Sequence, residues 1–164
     1  MALHIANFFE AQRFSCIAAS DMDMGQIIKI SDDGTGNRLA TLLGNSDSAL
    51  LVSGKYGVSY KVSTDPFQVN SSTAPTFLGD RVVTILSGDP MVEVRKGAIV
   101  EYTADLLDAS LDPARSGTTP TAGTALAVLN ARWAASTAVG AITSPVIGRV
   151  YDVNGTTILV ELVY

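Results

Sequence analysis

An Asn-Gly pair, Asn154-Gly155, separates two runs rich in Val, Ile, Leu and Tyr in PVIGRVYDVNGTTILVELVY, residues 145–164. A two-residue type I′ turn needs positive φ at both central positions, which Asn and Gly tolerate at least cost. This stretch is therefore committed to a β-hairpin. The turn predicts Val153 opposite Thr156, Tyr151 opposite Ile158, Arg149 opposite Val160 and Ile147 opposite Leu162. One face is then mostly apolar, and the other is polar at the tip and apolar towards the base. So apolar a strand is expected inside a sheet, because as a free edge it would recruit other chains.

Strand and turn signals recur from Asp21 onwards. GQIIKIS reads as a strand, and DDGTGN (32–37) as a loop dense in turn residues. RLATLL and ALLVSG follow, with GNSDS between them. YGVSYKVS alternates Val58, Tyr60 and Val62 with Ser59, Lys61 and Ser63, the pattern of a half-buried strand. TDPFQVNSSTAPTFLGD reads as a long polar loop, and RVVTILS as a strand. PMVEVRKGAIVEY predicts a hairpin turning at Lys96-Gly97, and residues 105–124 an exposed loop. ALAVLNARWAAS has helix-forming Ala and Leu, yet Asn130 marks a turn, and two short strands are expected. The fold class expected is all-β: a sandwich or barrel-like knob with a C-terminal hairpin.

The start differs. In MALHIANFFEAQRFSCIAAS, Ile5, Phe8, Phe9, Cys16 and Ile17 lie roughly on one helical stripe. Residues 1–20 are expected to form a short helix or an arm, and residues 21–164 a single β-rich domain. Leu3, Ile5, Phe8 and Phe9 are the candidate contacts to a partner or neighbouring subunit. Burying each is worth about 1.5–3 kcal/mol before ordering costs.

Composition narrows the function. Of the 164 residues only 16% are charged and 47% are hydrophobic, against roughly 25% charged in an average soluble domain. A chain so poor in charge is expected to sit against neighbours in an oligomer or assembly. A net charge of −5 with scattered Lys and Arg leaves no basic stripe for nucleic acid. No window of about 18 uninterrupted apolar residues marks a membrane span, and Glu10, Gln12 and Arg13 break up any secretory leader before Cys16.

Chemistry-bearing patterns are sparse. Cys16 is the one cysteine, so neither an intrachain disulfide nor a Cys/His zinc set is expected, and a histidine-based triad, which would have to be built on His4 at the chain's start, is not expected either. Ser46 lacks the second glycine of a nucleophile elbow, and Gly34-Thr35-Gly36 lacks the rest of a phosphate loop. Asp21, Asp23, Asp32 and Asp33 are the densest acidic spots, but neither cluster fits a calcium loop. Glu93 and Glu101 would fall on opposite faces of their hairpin, which disfavours a catalytic carboxylate pair. No enzyme, metal or cofactor is expected.

The segment from Ala122 to Tyr164 resembles the C-terminal part of capsid cement, or head decoration, proteins of tailed bacteriophages. Ile147-Gly148-Arg149-Val150 and TTILVELVY carry the likeness, with Trp133 as a further element. The resemblance implies a β-rich knob, commonly a homotrimer, on the outer surface of a phage head. There it would bridge major capsid subunits and stabilise the shell. The alternatives are another virion part, such as a tail tube, head-completion or fibre-base protein, and a carbohydrate-binding β-sandwich. The last would use Tyr56, Tyr60 or Trp133 as stacking platforms.

Overall fold

The computed structural model describes residues 4–5, 12–47, 55–60, 84–103, 106–116, 119–155 and 157–163. The described strands are β1 (His4–Ile5), β2 (Arg13–Ala18), β3 (Met22–Asp23), β4 (Ile27–Asp32), β5 (Arg38–Leu42), β6 (Tyr56–Tyr60) and β7 (Thr84–Ile85). They continue with β8 (Pro90–Val94), β9 (Ile99–Thr103), β10 (Ala125–Leu129), β11 (Arg132–Ala134), β12 (Gly148–Asn154) and β13 (Thr157–Leu162). A 3-10 turn at Ala109–Leu111 runs into the one-turn helix α1 (Pro113–Ser116). The fold is all-β, as expected.

Five strands close into a barrel in the order β2-β5-β4-β6-β8. Closure removes the edges that strands this short would otherwise expose. β2 and β5 run parallel at Ile17–Leu39 and Ala18–Ala40, and the other four pairings are antiparallel. The registers put Cys16, Ala18, Ile28, Ile30, Ala40, Gly57, Ser59, Met91 and Glu93 on one side, the interior. Most are small, as a five-stranded barrel has little internal width. On the other side Ile27, Tyr56, Val58 and Val94 are also buried, because this wall packs against the second sheet. YGVSYKVS is thus not half-buried over its described part: Ser59 is as enclosed as Val58.

The second sheet has six antiparallel strands in the order β1-β9-β13-β12-β10-β11. Along β13, Ile158, Val160 and Leu162 are buried and their neighbours half-buried, so one face is core. Val100, Tyr102, Leu126, Val128 and Val150 share that core with the barrel wall. Among the bonds that tie the layers are Ile27 N–H to the Ala131 carbonyl at 2.7 Å and Tyr102 Oη–H to the Gly25 carbonyl at 3.1 Å.

Three further expectations are corrected. PMVEVRKGAIVEY is no hairpin: β8 belongs to the barrel and β9 to the sheet. The turn between them closes from Ala98 N–H to Arg95 O with Gly97 at φ +86° in its third position. That matches a type II turn, whose twist splays the flanking strands instead of pairing them.

The C-terminal hairpin forms, but its turn lies one residue further along the chain than expected. Asn154 pairs with Thr157, so Gly155, at φ +59°, is the first central residue of the turn. An extra residue at Tyr151 then shifts the ladder, leaving Val150 opposite Val160 and Arg149 opposite Glu161. The bulge lets both valines of that pair face the core, whereas the expected register set Arg149 against Val160.

Residues 105–124 are not a plain exposed loop. Leu106, Leu107 and Leu111 are buried, and Asp108 N–H bonds to the Trp133 carbonyl at 2.9 Å, covering the edge of β11. Within residues 1–20, expected as a short helix or an arm, residues 4–5 and 13–18 are strands, while residues 1–3 and 6–11 lie outside the described residues.

The turn at Asn130 is where the sequence placed it. Asn130 and Ala131 sit at φ +50° and +59°, a primed turn that costs Ala about 1–2 kcal/mol. Docking offsets that cost. Asn130 N–H donates to Asn45 Oδ1 (2.8 Å), and Asn45 Nδ2 donates back to Asn130 Oδ1 (2.9 Å).

Candidate functional site

The most distinctive chemistry among the described residues lies at one mouth of the barrel. Glu93 comes in on β8, directly opposite Phe14 of β2 and Ser59 of β6. Its side chain is fully buried. Both carboxylate oxygens are used: Arg38 Nη2 donates to Oε2 at 2.5 Å, and Arg95 Nε donates to Oε1 at 2.6 Å. Each guanidinium also lies over the Phe14 ring, at 4.7 Å for Arg38 and 4.8 Å for Arg95. The ring is 40% exposed, so a cation–aromatic–cation stack lines the opening.

Gly57 makes room for this arrangement. A Cβ there would meet Glu93 Cγ at 2.4 Å and the Val94 carbonyl oxygen at 2.9 Å, and that backbone oxygen has no freedom to move aside. Burial pushes the Glu93 carboxyl above its ordinary range, and Arg95 and Arg38 pull it back without cancelling the rise. Deeper in the barrel, burial first and the Glu93 charge second push the Cys16 thiol up to about 11. It therefore stays a protonated thiol at neutral pH and is no nucleophile.

The residues singled out by sequence are dispersed. Leu3, Phe8 and Phe9 lie outside the described residues, while Ile5 pairs with Val100 and His4 with Glu101 at the β9 edge of the sheet. Tyr56 and Trp133 are 2% and 1% exposed, so neither presents a face to a sugar ring. Tyr60 is half-buried. Glu93 and Glu101 stand in different sheets.

The acidic spots serve a turn at Asp33 and long-range contacts at Asp21 and Asp23. Asp33 accepts from Thr35 Oγ1 at 2.7 Å and Asn37 Nδ2 at 2.9 Å, which holds its carboxyl well below the usual range. Asp21 accepts from Ser87 N–H, and Asp23 from Thr84 Oγ1. Among the described residues no three His, Cys, Asp or Glu side chains gather closely enough to hold a metal ion.

Sequence reasoning missed the Glu93 cluster, because a Glu in an alternating strand reads as solvent-facing. The available signal was Gly57, since a glycine inside a strand marks a close approach. No family model matches this chain, and neither a curated protein nor a solved structure matches it.

Proposed function

We propose that the chain is a structural virion protein that binds the outer surface of a tailed-phage head and stabilises the shell by bridging major capsid subunits. The observation that carries this reading is the placement of the residues that bear the resemblance. They supply four consecutive neighbours of one sheet, β13-β12-β10-β11. Ile147, Gly148 and Val150 of the motif are buried there, with Gly148 against the Trp133 ring. The likeness thus falls on a packed unit of structure and not on a scatter of surface residues. Low charge suits a protein whose surfaces meet a shell and sister subunits in a homotrimer. An acidic balance suits the outside of a particle, away from packaged DNA.

In this reading Leu3, Ile5, Phe8 and Phe9 form the gripping arm. Residues 1–11 can be deleted without touching a barrel strand, since β2 begins at Arg13. The test is co-sedimentation of full-length and truncated chains with expanded heads that lack the protein. The full chain is expected to saturate the heads and the truncated chain to bind at least tenfold more weakly. Failure of the full chain to bind sinks the head assignment. Equal binding by both sinks the arm alone.

A further inference from the structure

We infer that the barrel mouth framed by Phe14, Arg38 and Arg95 is a docking site for a single carboxylate side chain presented by a partner protein. This goes beyond the virion reading and does not rest on it. Two guanidiniums share one carboxylate, Glu93, and among the described residues neither has a second carboxylate partner. Asp32, opposite Arg38 on the neighbouring strand, accepts from the Gly34 N–H at its Oδ1 and forms no ion pair with Arg38. The mouth therefore presents two guanidiniums whose remaining N–H donors no carboxylate among the described residues other than Glu93 takes up.

The geometry fits a carboxylate. Arg95 spends its Nε on Glu93, which leaves the paired Nη1 and Nη2 donors at the end of the guanidinium. That fork matches the two oxygens of a carboxylate. The Arg95 and Arg38 side chains are 23% and 30% exposed, so they are reachable yet partly desolvated, which strengthens an ion pair. Both planes are stacked on Phe14 and pinned by Glu93, so little side-chain freedom remains to be lost on binding. The exposed part of the Phe14 ring offers an apolar contact to the methylenes beside the incoming carboxylate.

The test is a titration of the full, 15N-labelled chain with N-acetylglutamate, using N-acetylglutamine as the neutral control and sulfate as the competing anion. Both amino-acid derivatives are α-N-methylamides, so that the glutamate side chain is the one carboxylate present. N-acetylglutamate is expected to shift the Arg38 and Arg95 Nε–H signals and the Phe14 ring signals saturably, while N-acetylglutamine does not. Arg38→Gln is expected to weaken the response at least tenfold. Phe14→Ala, a change at a half-exposed ring, should weaken it several-fold and decides the matter if Arg38→Gln does not fold. No saturable shift, an equal shift with N-acetylglutamine, or full affinity in Phe14→Ala overturns the assignment. Sulfate binding at a tenth of the concentration also overturns it, giving the mouth to a tetrahedral anion.

Discussion

The barrel and the six-stranded sheet each hold one large side chain over a glycine, and the two guests are of opposite kinds. In the barrel, Gly57 accommodates the ionisable Glu93. In the sheet, Gly148 accommodates the Trp133 ring, with Cη2 and Cζ3 each 2.5 Å from where a Cβ would stand. Steric demand is alike at both, but the forces that hold the guest are not. Glu93 is held by two charged hydrogen bonds near a solvent-reached opening. Trp133 is held by the packing around its buried ring, whose Nε1–H has the Tyr102 hydroxyl as its polar neighbour. One small protein thus specifies one half by the geometry of charge and the other by the shape of a ring.

That contrast can be broken by mutation. The largest effect is expected from the double change Arg38→Met with Arg95→Met, which leaves Glu93 buried without a counter-charge. It should cost about 3–5 kcal/mol in urea unfolding, and adding Glu93→Met should restore most of the loss. A loss of less than about 1 kcal/mol would mean that Glu93 finds other relief. Next comes Gly148→Ala, expected to cost about 1–3 kcal/mol by overpacking. Its local readout is a shift in Trp133 fluorescence, and unchanged emission would show that the ring is not the obstacle.

The pH response sharpens the comparison further. The folded state raises the Glu93 pKa above its ordinary 4.5, so in the window above that value the native state holds this proton more tightly than the unfolded chain. Stability contributed through Glu93 therefore falls as pH rises through the window and levels off above the folded pKa. Wild type should lose stability relative to Glu93→Gln as pH rises above 4.5, until the folded pKa is passed. Asp47, whose carboxyl Lys29 holds low, runs the other way and loses its contribution on acidification. A flat difference between wild type and Glu93→Gln would remove charge from the account of the barrel. The smallest effect is expected at the bulge, where Tyr151 is 54% exposed. Tyr151→Ser should change stability by less than about 0.5 kcal/mol, and a larger loss would reveal packing at the hairpin tip.

What could be read in advance follows from how local each signal is. Asn130 and the Asn154-Gly155 pair announced turns because a backbone preference belongs to one or two residues. The register of the last hairpin was not legible, since the bulge at Tyr151 answers to Val150 and Val160 meeting in the core. Lys96-Gly97 carried a true turn signal, but whether β8 and β9 pair depends on turn type and on partners far away in sequence. The Glu93 cluster joins residues from β2, β5, β8 and the turn that follows β8, and no window of sequence contains it.

The most direct test of the functional reading is the copy number of this chain in purified phage particles, measured by quantitative mass spectrometry. The account predicts a number comparable to that of the major shell protein. A handful of copies would instead indicate a tail or vertex part, and complete absence would contradict the virion role outright.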